Sequence, residues 1–106
     1  MIPAFLLAAA LQAAPFEPAT PADLDTVLAS YKAAEFAVGV GADGKLTCKP
    51  DRMIGSATLS IRTCMAASRC IMDGKGGATA LVRCLDAEKV KIAEDYRSEW
   101  QESHAK

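Results

Sequence analysis

Few side chains in this sequence are equipped for covalent or metal chemistry: Cys48, Cys64, Cys70, Cys84 and the single His104. The cysteines are separated by fifteen, five and thirteen residues. Structural zinc sites usually set two ligands within about two to four residues of each other, and no such knuckle exists here. A thioredoxin-type redox pair needs C-x-x-C, which is also missing. His104 lies two residues from the end, where chains fray. A nucleophilic hydrolase needs a Ser or Cys beside a positioned base, and a terminal histidine is a poor one. Gly74-Lys75-Gly76-Gly77 has the look of a phosphate-cradling loop. The P-loop spacing and its following Ser or Thr are absent, so it reads as a flexible turn. Asp23/Asp25 and Glu94/Asp95 read as a helix start and a solvated face. The sequence nominates no catalytic, cofactor-binding or metal-ligating residue and no cofactor, and the protein is read as not an enzyme.

An even cysteine count favours two disulfides. Of the three connectivities that four cysteines allow, the sequential one is preferred, Cys48 with Cys64 and Cys70 with Cys84. Midway between the members of each pair lies a glycine turn, Gly55-Ser56-Ala57-Thr58 and Gly76-Gly77-Ala78-Thr79. Similar runs follow, Leu59 to Arg62 before Cys64 and Ala80 to Arg83 before Cys84. A chain that reverses at each glycine brings its two cysteines together. Each closed loop contributes on the order of 3 kcal/mol.

The rest of the chain explains why such staples are needed. It has 106 residues, enough for one domain. Its first fourteen residues, MIPAFLLAAALQAA, hold twelve apolar side chains and no charge. That run is shorter than the about 20 residues a membrane span needs. It fits the apolar region of a signal peptide, with cleavage near Ala13/Ala14. It departs from that pattern in lacking an early Lys or Arg, and in placing Leu11 or Gln12 where a small residue is preferred. A buried N-terminal helix is the alternative, but Pro15 and Pro18 follow at once and break helices. The expectation is an exported protein, periplasmic or secreted, with no transmembrane span in the mature chain. Without the leader about 92 residues remain, of which Leu, Ile, Val and Phe make up only 17 and alanine 15. So lean a core calls for cross-links.

The elements follow from local signals. Thr20-Pro21-Ala22-Asp23 is a helix start, with Thr as N-cap and Pro at the first helical position. Leu24, Val27, Leu28 and Tyr31 continue it at helical spacing, to about Ala37. Val38–Gly41 and Lys45–Cys48 flank Asp43-Gly44, a hairpin signal, and Pro50 ends the second strand or marks an edge. Residues 56–72 support two readings. Leu59, Ile61, Thr63 and Met65 alternate as in a strand, while Ala57, Ile61, Cys64, Met65, Ser68 and Met72 line one helical face. Residues 78–85 are strand or helix. From Asp86, the stripe Leu85, Ile92, Ala93, Tyr96 and Trp100 predicts an amphipathic helix to about Glu102. The organisation is a signal peptide over 1–14, a Pro-rich lead-in over 15–20 and one α+β domain over 21–103. That domain is expected to have a helix at each end packed on a short antiparallel sheet.

The run Gly41-Ala42-Asp43-Gly44-Lys45-Leu46-Thr47-Cys48, then Gly55-Ser56, Leu59 and Thr63-Cys64, resembles the middle of the TonB carboxy-terminal domain family, in particular its cysteine-bearing periplasmic members. The resemblance covers about residues 38–65. It implies strand, strand, helix, with Cys48 on a strand joined to Cys64 on a helix, and it implies the periplasm. Ile54 and Ser60 depart from the family's pattern, and Cys70, Cys84 and the C-terminal helix have no counterpart in it. There is no anchor and Pro-rich spacer of the kind an energy transducer uses, so the resemblance does not imply energy transduction. A TonB-like domain without transducer function is one alternative reading; a small envelope enzyme is another.

The net charge of −1 argues against nucleic acid as a partner, yet it sums opposed segments. Up to Gly44 the balance is −4, from Lys45 to Leu85 it is +5, and from Asp86 it is −2. Lys45, Lys49, Arg52, Arg62, Arg69, Lys75 and Arg83 form a candidate face for an anionic envelope component or an acidic envelope protein. The competing reading packs this basic middle against the acidic helices. The sequence thus points to an exported, non-enzymatic binding or accessory module of the cell envelope.

Overall fold

A computed structural model of the chain describes residues 17–105. The proposed leader and the first two residues of the lead-in lie outside them. Three helices and a two-stranded antiparallel sheet form a small α+β domain: α1 (Pro21–Ala33), β1 (Phe36–Val40), β2 (Leu46–Pro50), α2 (Ala57–Met72) and α3 (Ala78–Ser103).

The Thr20 hydroxyl caps α1 by accepting from the Asp23 amide at 3.1 Å, with Pro21 in the first turn. The helix ends at Ala33, earlier than expected. Ala34 is extended and buried, and the strand begins at Phe36. β1 and β2 pair with Val38 opposite Cys48. Gly44 closes the turn at φ 81°, a left-handed conformation that glycine adopts without steric penalty.

Residues 56–72 resolve as helix. Ser56 is the N-cap, its Oγ accepting from the Leu59 amide at 3.2 Å. Gly55, at φ 90°, brings the backbone close to Val27; a Cβ there would sit 3.0 Å from its methyl. The buried face of α2 differs from the one the apolar pattern suggests. Leu59, Thr63, Ala66, Ala67 and Cys70 are inside, while Ile61, Met65 and Met72 are 59%, 57% and 81% exposed. Small residues win the interior because α2 lies close against α3, and alanine permits close approach.

Residues 78–85 are helical and continuous with the C-terminal segment, so α3 begins eight residues earlier than Asp86. Its stripe Leu85, Ile92, Ala93, Tyr96 and Trp100 is buried as expected. The core is therefore a helical layer, with α1 and α2 packed on α3 and with Leu24, Leu28, Tyr31 and Leu59 at its centre. The two terminal helices, expected to pack on the sheet, instead pack on each other and, for α3, on α2. The hairpin is an appendage: Phe36 and Val38 touch the core, and β2 packs on α2.

Both disulfides form with the sequential pairing. Cys48–Cys64 ties β2 to α2, and Cys70–Cys84 ties α2 to α3. No helix among the described residues is long and apolar enough to cross a membrane.

Candidate functional site

The seven cations of the basic middle separate into two groups. Arg62 makes a two-pronged pair with Glu99 of α3, at 2.6 and 3.2 Å. That pairing raises the guanidinium's proton affinity further and holds the Glu99 carboxyl below its ordinary range. Arg69 reaches Glu88 at 3.3 Å. Arg52 pairs with its neighbour Asp51 at 3.2 Å. The Asp51 carboxyl is held down by Arg52 and by the Glu35 amide. The packing of basic middle against acidic helix is thus real for Arg62 and Arg69, and it takes them out of a free cationic face.

Lys45, Lys49, Lys75 and Arg83 are exposed and make no ion pair among the described residues. Lys45 and Lys49 sit on the hairpin. Lys75 and Arg83 come together in an open basin of about 550 Å³, with Thr79, Ala80, Cys84 and Ala87. This basin lies at the start of α3. Gly77 is the N-cap and offers no side-chain cap, and the first turn holds no acid. The first amides of α3 therefore keep free donor capacity and the positive end of the helix dipole. The Gly74 turn that precedes it, at φ 82°, closes α2 by donating to the Ile71 carbonyl. The glycine turn leads from the end of α2 to the start of α3, and the Lys75 amide donates to the Cys70 carbonyl at 2.9 Å.

A second hollow, of about 390 Å³, lies between α1 and α3. Its half-buried Lys89 donates to the Ala34 carbonyl at 2.6 Å, with its ammonium 5.2 Å from the Tyr31 ring centre. Desolvation holds this amine below the ordinary lysine range. Lys89 satisfies the carbonyl of Ala34, the C-cap of α1, which explains its position without a ligand.

One polar cluster escaped the sequence reading. Glu17, in the stretch read as lead-in, accepts from the hydroxyls of Ser56 and Thr58 at 2.7 Å, from the Thr58 amide at 3.0 Å and from the Tyr96 hydroxyl. Partial desolvation pushes its carboxyl up, but the four donors outweigh this and hold it below the usual range. Desolvation and the same carboxylate push the Tyr96 phenol up to about 12. The Trp100 indole donates to the Pro18 carbonyl at 2.9 Å. The polar atoms of Tyr96 and Trp100 are thus occupied by Glu17 and Pro18. The only available signal was the acid just upstream of Pro18. His104 stacks on Trp100 at 3.8 Å and contacts the Trp100 carbonyl. Among the described residues no cluster of three or more His, Cys, Asp or Glu side chains is placed to hold a metal ion.

The fold defines the class: a small α+β domain cross-linked by two disulfides. Compared with known protein families, curated proteins and solved structures, the chain matches none.

Proposed function

We propose that this chain is an exported, non-enzymatic protein of the periplasm, a small binding or accessory module whose anion-facing site is the Lys75–Arg83 basin. One observation carries the reading. Arg52, Arg62 and Arg69 are paired with acids, whereas Lys75 and Arg83 share an open basin at a helix start that has no side-chain cap and no acid in its first turn. An anionic group seated there gains two cations and free backbone amides together. Lys45 and Lys49 add general attraction from the hairpin. The two disulfides support export, since such bonds persist in oxidising compartments.

Elution from a sulfated-polysaccharide resin tests the site. The wild-type protein should elute at higher salt than Lys75→Glu/Arg83→Glu, while Arg62→Ala should behave as wild type. Equal elution of the wild type and the double variant would remove the basin from the reading.

A further inference from the structure

The two disulfides sit in different surroundings. Cys70–Cys84 joins the buried face of α2 to α3, and Cys70 is 1% exposed. Cys48–Cys64 joins β2 to α2, and both of its half-buried residues line an open groove of about 470 Å³. Leu46, Pro50, Ile61 and Met65 form most of the remaining wall, and no charged side chain lines it. The exposed Ile61 and Met65 thus lie beside an S–S bond.

Thiol–disulfide exchange requires that a thiolate reach one sulfur and that the other leave as a thiolate, which burial in apolar surroundings disfavours. At Cys70–Cys84, Lys75 and Arg83 would draw a thiolate toward Cys84. The sulfur to be expelled is then Cys70, which is buried. At Cys48–Cys64 both residues border open surface, so either sulfur can be attacked and either can leave.

We propose that Cys48–Cys64 is an exchange site, and that the groove around it seats an extended apolar segment of a dithiol protein. The partner's thiolate attacks one sulfur, the S–S bond breaks, and the other sulfur leaves as a thiolate and takes up a proton. The partner's second thiolate then attacks the partner's own sulfur in the mixed disulfide, and the first sulfur leaves as a thiolate and takes up a proton from water. Two electrons pass from the partner, which becomes the disulfide, to this chain, which holds two thiols. An oxidised partner runs the sequence backwards. Opening the bond frees the hairpin from α2, while Cys70–Cys84 still ties α2 to α3. The exchange does not depend on the anion-facing basin, and each fails or stands by its own measurement.

The test uses the fully oxidised protein with a limiting reductant, either dithiothreitol or a thioredoxin-fold dithiol protein, followed by alkylation and peptide mapping. Cys48–Cys64 should open about tenfold faster than Cys70–Cys84 with both reductants. Ile61→Ser/Met65→Ser, which adds no charge to repel a thiolate, should slow the dithiol protein severalfold and leave the dithiothreitol rate unchanged. Equal opening of the two bonds, or earlier opening of Cys70–Cys84, overturns the exchange site. Groove variants reduced by the dithiol protein at the wild-type rate overturn the docking groove.

Discussion

The Tyr96 hydroxyl donates to the Glu17 carboxylate across 79 residues of sequence. The same carboxylate accepts from Ser56 and Thr58, so one side chain joins the N-terminal residues, the start of α2 and the end of α3. The packed domain therefore includes Glu17, four residues before α1. Hydrogen bonds to a charged group are worth about 1.5–3 kcal/mol when well shielded, and Glu17 is open to water on one side. Glu17→Gln and Tyr96→Phe are each expected to cost about 1–2 kcal/mol in urea unfolding. The double variant should cost less than the sum of the two. Strict additivity would mean that the contact contributes nothing.

The same pair makes stability depend on pH at both ends. The folded-state pKa of Glu17 lies below its ordinary value of 4.5. Its contribution is therefore complete above about pH 4.5 and is lost as pH falls through the folded value. The phenol of Tyr96 is raised from 10 to about 12. Its contribution is complete below pH 10 and is lost as pH rises toward 12. Midpoints measured from pH 3 to 11 should fall at both ends for the wild type. Glu17→Gln should flatten the acid limb, and Tyr96→Phe the alkaline one. Parallel profiles in all three proteins would contradict this assignment.

How much of this was legible beforehand depended on side-chain size and distance. Thr20 and Pro21 marked the start of α1, Asp43-Gly44 marked the hairpin, and the glycines between the cysteines pointed to the pairing that forms. Each of these signals is local. The buried face of α2 was not legible because Ala66, Ala67 and Thr63 are small, while the larger Ile61 and Met65 stay outside. Apolar spacing ranks residues by hydrophobicity, but helix contact also selects for small volume. Glu17 was missed because its partners lie 39 to 79 residues away. The division of the cations was likewise tertiary: Arg62 and Arg83 look alike until α3 folds back and presents Glu99 to one of them.

The buried hydroxyl pair offers a test of the core. The single Thr63 hydroxyl proton goes to the Leu59 carbonyl at 2.8 Å, so the Tyr31 hydroxyl is the donor in its 2.5 Å contact with Thr63. Tyr31→Phe leaves the Thr63 oxygen without that donor and should cost about 1–2 kcal/mol by chemical unfolding. Tyr31→Phe/Thr63→Val removes both partners and should recover part of that loss. A double variant less stable than Tyr31→Phe alone would show that Thr63 serves the fold by another route.

Export makes a separate demand. Protein recovered from a periplasmic extract should have lost residues 1–14 and carry no titratable thiol, its mass lower by four hydrogens than the reduced chain. Recovery in the cytoplasm, at full length and with four thiols, would remove both the leader and the oxidising compartment from the account.

The most direct measurement of the proposed role is a residue-resolved NMR titration with a short sulfated oligosaccharide. Amide shifts are expected to concentrate at Gly76, Gly77, Ala78 and Thr79, saturate together and vanish in Lys75→Glu/Arg83→Glu. Shifts centred on Arg62 and Arg69, or no saturable shift in the wild type, would contradict the anion-facing basin.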